Sequence, residues 1–168
     1  MINWHFFPKS KKIPEHLFKV VGVFENCEEL ISSEQHNYGS NEVLEKISKS
    51  LETLNYQVEK SKKSSDKIKV PVLFGLNGKL EQHFDADGFN SDTKTVIEIE
   101  AGRAVTNYQF LKDLFQACMM HEVDFLIIAV RKNYRSNPDF KNVNTFFDTL
   151  YASGRLTLPL KGVLIIGY

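Results

Sequence analysis

The chain has 168 residues, 42% of them hydrophobic and 25% charged, the size and balance of one globular domain with a sizeable core. Its 21 basic and 21 acidic side chains cancel, which excludes a strong overall pull toward nucleic acid or a membrane surface. No run of about 18 apolar residues could span a bilayer, and the two cysteines, Cys27 and Cys118, lack metal-type spacing. The opening "MINWHFFPKSKK" runs from apolar to basic, the reverse of a secretory leader, so a reducing cytoplasm is the expected location.

Residues 1–40 read as an extension packed on the core through Trp4, Phe6 and Phe7, with "HLFKVVGVFEN" fitting either a strand or a short helix. From Asn41, a candidate N-cap, the residues Leu44, Ile47, Leu51, Leu54 and Val58 recur at helical spacing. The segment Lys60 to Lys69 holds five lysines against one aspartate and ends that helix. "VPVLFG", the Asn-Gly turn in "LNGK" and "KLEQHFDADGF" predict a hairpin, and "TVIEIEA" adds a third antiparallel strand after "NSDTK". A helix follows, capped by Thr106 or Asn107, with Phe110, Leu111, Leu114, Phe115 and Cys118 on its apolar side. "VDFLIIAV" and "GVLIIGY" read as strands covered on both faces. Between them, "NPDFKNVNTFFDTLYASG" predicts a helix with a proline near its start and a glycine stop.

Carboxylates concentrate on the hairpin and third strand: Glu81, Asp85, Asp87, Asp92, Glu98 and Glu100. Side chains alternate faces along a strand, so Glu98 and Glu100 share a face, as do His83, Asp85 and Asp87 on the strand before. Acids are poor strand formers, and like charges opposed across a sheet cost up to about 1 kcal/mol per pair. A hard divalent cation offsets that repulsion, whereas a solvated polar face explains the same pattern without one. The row of His83, Asp85 and Asp87 offers a further His-plus-carboxylate site.

"DGFNSDTKTVIEIE" resembles the signature of the PD-(D/E)XK nuclease superfamily, an aspartate and then glutamate-x-lysine on the next strand, and the likeness covers residues 41–168. The resemblance implies an α/β fold with a restriction-endonuclease-like core: a mixed central sheet, made of a three-stranded antiparallel meander plus two further strands, flanked by helices. It implies a Mg²⁺-dependent DNA endonuclease, with Mn²⁺ as a possible substitute, working as a homodimer. Carried over, Asp87 and Glu98 are the metal-binding acids, with Asp85 a rival to Asp87. Glu45 or Glu42 on the first helix, Gln109 and Arg103 are accessory candidates. Glu100 stands where lysine is usual, a departure that resembles the E-x-E type II restriction endonucleases. Lys79 or Lys94 is a candidate to supply the missing cation. Arg103, Arg131, Lys132, Arg135 and the Lys60–Lys69 segment are candidates for phosphate contacts. A repair or junction-resolving nuclease, or a catalytically silent binding module on the same fold, are the alternatives.

Overall fold

The computed structural model describes every residue except Lys62, and Ser64 without its side chain; the lysine-rich segment is therefore described except at Lys62. The strands are β1 (Asn3–Phe7), β2 (Gln57–Val58), β3 (Ile68–Phe74), β4 (Leu80–Ala86), β5 (Gly88–Asn90), β6 (Thr95–Glu100), β7 (Phe125–Val130) and β8 (Gly162–Gly167). The helices are α1 (Glu15–Asn26), α2 (Glu28–Ile31), α3 (Ser40–Glu52), α4 (Gln109–Met119) and α5 (Asp139–Ser153). Six strands form a mixed sheet in the order β1-β8-β7-β6-β5-β2, parallel across β6, β7 and β8 and antiparallel elsewhere.

Helices cover both faces of this sheet. On one, Leu17, Val20 and Phe24 of α1 and Ile47 and Leu51 of α3 pack on Ile97, Ile99, Ile127 and Leu164. On the other, Phe110 and Leu114 of α4 and Phe147 of α5 pack on Val96, Leu126, Ile128 and Val163. The strands β7 and β8 are buried on both faces, which is why their sequences are almost unbroken apolar runs. Alternation in β6 sends Ile97 and Ile99 to the α1–α3 side and Val96, with the glutamates, to the α4–α5 side.

Four expectations change. Residues 1–40, read as an extension, supply an edge strand of the main sheet and a core helix. Phe6 and Phe7 of β1 are buried, and the ambiguous "HLFKVVGVFEN" is helical throughout, making up α1 from His16 to its end at Asn26. The three-stranded meander divides. β3 and β4 pair only with each other, as a separate ribbon, whereas β5 leaves β4 at Asp87 and pairs with β6 on one side and β2 on the other. The intrusion of β2 is what separates them: β5 uses its free edge on Gln57 and Val58.

Helix α3 starts at Ser40 instead of being capped by Asn41, and the Gly39 N–H donates to Glu42 Oε2 at 2.7 Å. It stops at Glu52, so Leu54 and Val58 lie beyond it, in a turn and in β2. Helix α4 is rotated from its expected face. Phe115 is 55% exposed, and Asp113 and Ala117 are buried beside Phe110 and Leu114.

No helix among the described residues is long and apolar enough to cross a membrane. Cys27 and Cys118 are both free thiols.

Candidate active site

Asp87 is the residue at which the ribbon hands the chain to the sheet, and both of its polar ends are tied down. The Glu59 N–H donates to its carbonyl at 2.8 Å, and the Ile99 N–H donates to its Oδ2 at 2.8 Å. Gly88 follows because β5 runs close to both neighbours. A Cβ there would lie 2.8 Å from Ile97 Cγ2 and 3.2 Å from the Gln57 carbonyl. Gly88 faces Ile97 across the ladder, so Asp87 comes opposite Glu98 and turns to the same side of the sheet. That is the α4 side.

A cavity of about 410 Å³ opens there, lined among others by Glu59, Lys67, His83, Asp85, Asp87, Glu98, Lys112 and Gln116. It holds four carboxyl groups and two ammonium groups. One of those ammonium groups is already committed, because Lys67 Nζ lies 2.8 Å from Glu59 Oε2.

The acids register the deficit. Burial pushes Asp87 up to about 6, against the pull of the Ile99 N–H and with the help of Glu59 and Asp113. Burial holds Glu98 well above the usual carboxylate range, with the charges of Asp87 and Asp113 adding to it. Burial and then the Asp113 carboxylate push Glu100 up to about 8. Asp113 is itself raised by burial, and Lys112 opposes the rise. Its Oδ2 is buried with no donor among the other described side chains, and Glu100 lies within hydrogen-bonding reach. Two carboxylates tolerate that approach when one of them keeps a proton. Lys112 Nζ sits 3.3 Å from Asp113 Oδ1. Burial disfavours its charge, but Asp113, Glu98 and Glu100 outweigh burial and raise its pKa.

The sequence-predicted residues sort clearly. Asp87, Glu98 and Asp85 line one cavity, and His83 sits 3.8 Å from Asp85 on the ribbon. Of the rivals, Asp87 is the anchored one and Asp85 is exposed. Glu100 adjoins the cluster through Asp113 and does not line the cavity. Glu45 and Glu42 line a different groove, between α3 and the end of β2, which has Glu59 in common with the acid cavity. Gln109 is at the first residue of α4, and Gln116, two turns on, reaches the cavity instead.

Neither Lys79 nor Lys94 lines the cavity; Lys94 pairs with Glu122 at 3.7 Å. Arg131 is buried and donates to Asn37 Oδ1 at 2.7 Å and to the Tyr38 carbonyl, and Lys132 pairs with Glu34 at 3.4 Å. Both are held within the protein. Arg103 and Arg135 share a second cavity beyond the end of β6.

No protein-family profile, curated protein or solved structure matches this chain.

Sequence reasoning missed Asp113, Lys112 and Glu59, and it had Lys67 only as part of the Lys60–Lys69 segment. Asp113 had a signal: it lies three residues after Phe110 and four before Ala117, so it interrupts an apolar face. Glu59 had none, since a loop between β2 and β3 brings it to Lys67.

Among the described residues, no three Asp, Glu, His or Cys side chains are gathered closely enough to hold a metal ion between them. The chemistry of the donors nevertheless suits a hard cation. They are carboxyl oxygens whose pKa values are raised by burial and then by one another's charge.

Proposed function

We propose that the chain is a divalent-cation-dependent nuclease that hydrolyses DNA phosphodiester bonds, on a restriction-endonuclease-like core. The observation that carries the reading is the shared cavity: Asp87 and Glu98 turn to one side of the sheet, in a group of partly buried carboxyls short of positive charge. The resemblance of "DGFNSDTKTVIEIE" to the nuclease signature supports it.

Asp87, Glu98 and Asp85 are the residues that would hold Mg²⁺ or Mn²⁺. The ion, when bound, supplies Lewis acidity toward the phosphodiester and lowers the pKa of a water. The protein's own contributions are distinct. The Ile99 N–H fixes Asp87 through Oδ2, which leaves Oδ1 to face a ligand. Lys112, beside Glu98 and Glu100, brings the cation that Glu100 replaced in the motif, and it can stabilise negative charge developing on phosphoryl oxygen. Glu100, protonated near neutral pH, is able to donate a proton or, once ionised, to accept one from water.

Plasmid incubated with purified protein tests the proposal. Nicking or linearisation in Mg²⁺ or Mn²⁺, absent in EDTA and lost in Glu98→Gln and Asp87→Asn, is the expected result. Cleavage that persists in EDTA or in Glu98→Gln refutes it. Binding of duplex without cutting in any divalent ion favours the silent module, the reading to which the scattered spacing of the acids lends weight. Preference for branched over linear duplex favours a repair or junction-resolving enzyme.

A further inference from the structure

The loops that leave the carboxyl ends of two adjacent parallel strands, β6 and β7, enclose a cavity of about 470 Å³. Arg103 from the first loop and Arg135 from the second both line it, and none of its lining residues is acidic. Neither arginine has a carboxylate within ion-pairing distance among the described residues. In a chain of zero net charge, two exposed guanidinium groups without counter-charge in one cavity are a local excess of positive potential.

The backbone is built to hold them there. Arg135 has a φ of +55°, which a β-carbon disfavours. The conformation is braced by paired hydrogen bonds between Tyr134 and Asn137, at 2.8 and 2.9 Å. The Tyr134 ring carries the Arg135 guanidinium at 5.3 Å, with Arg131 at 5.5 Å, which orients the fork. Gly102, with φ +110°, lets that ring approach, since a Cβ at this position would lie 2.3 Å from Tyr134 Cε2.

We propose that this cavity binds a phosphate of a nucleic-acid backbone through Arg103 and Arg135. Bidentate guanidinium groups match phosphate oxygens, and Arg103 lies three residues beyond Glu100. The inference rests on the nuclease reading and assigns its substrate grip.

The test is fluorescence anisotropy of a labelled duplex in EDTA, where binding is read without cleavage. Wild type is compared with Arg103→Ala/Arg135→Ala and with Lys49→Ala/Arg155→Ala, which removes equal charge from exposed positions elsewhere. The first variant is expected to weaken binding and to lower the slope of log Kd against log salt by about 1, the share of one phosphate. The second variant is expected to leave both nearly as in wild type. Equal losses in the two variants, an unchanged slope in the first, or no duplex binding by wild type overturns the proposal. Calorimetry with inorganic phosphate separates the other source: uptake that needs both arginines, with duplex binding untouched, assigns the cavity to a small phosphate compound and also overturns it. Arginine-dependent binding without metal-dependent cutting sinks the nuclease reading alone.

Discussion

Glu100 keeps its proton to about pH 8 in the folded chain, whereas a glutamate in water releases it near 4.5. Between these values the folded state binds more protons than the unfolded one, so folding stability falls as pH rises and the loss is complete above about pH 8. Asp87, raised to about 6, and Glu98 act in the same direction. Each tenfold gain in proton affinity on folding corresponds to about 1.4 kcal/mol, so the cluster costs on the order of a few kcal/mol at alkaline pH. Thermal unfolding in chelator should therefore show a lower Tm at pH 8.5 than at pH 5, and Glu100→Gln should flatten much of that slope. An unaltered slope in Glu100→Gln would place the pH dependence outside this cluster. Lys112→Met carries a companion prediction. It takes from the buried Asp113 its nearest cation, at a cost of about 1–3 kcal/mol near pH 8. At pH 5, where Asp113 more readily holds a proton, the cost should shrink, and denaturant midpoints at the two pH values measure the difference.

At the scale of elements, the handover from β4 to β5 depends on a residue pair with separate duties. Asp87 satisfies the Ile99 N–H and accepts from Glu59, and Gly88 lets β5 sit between β6 and β2. Gly88→Ala forces its Cβ against Ile97 and the Gln57 carbonyl, which overpacks the junction by about 1–3 kcal/mol. A urea titration should show the midpoint falling with the slope unchanged; a wild-type midpoint would mean that β5 shifts freely. The sequence carried the periodicities of α3, α5, β7 and β8 because each is buried along a regular stripe. It carried the shared face of Asp87 and Glu98 because alternation is local. The break in the meander was not legible, since it depends on β2 entering from about thirty residues upstream. Nor was β1, whose only partner is the far end of the chain, Asn3 facing Gly167. Asp113 was missed because its helix was assigned an apolar face one step away, although Phe110, Leu114 and Ala117 share its side of α4.

The molecule as a whole joins parts of unequal firmness, and the candidate site straddles them. Glu98 and Glu100 stand on β6, inside a sheet whose neighbours β7 and β8 are buried on both faces. Asp85 and His83 stand on the ribbon, where each strand has a single partner and the tip exposes Leu73, Phe74, Leu76 and Leu80. The ribbon is secured at its base, where Val70 and Ala86 are buried and the His121 N–H donates to the Pro71 carbonyl at 2.7 Å. Toward the tip, the register is broken around Leu73, where Pro71 and the following shifts interrupt the ladder. Local opening needs least free energy where few apolar contacts must be broken. Amide hydrogen exchange should therefore be fastest at residues 73–80, slower at 68–70 and 84–86, and slowest at 125–130 and 162–167. Asp87→Ala removes the acceptor of the Ile99 N–H, so exchange at the ribbon base should accelerate while β7 and β8 keep their protection. Uniform protection across ribbon and sheet would show one cooperative unit, and the two halves of the acid cavity would then be fixed relative to each other.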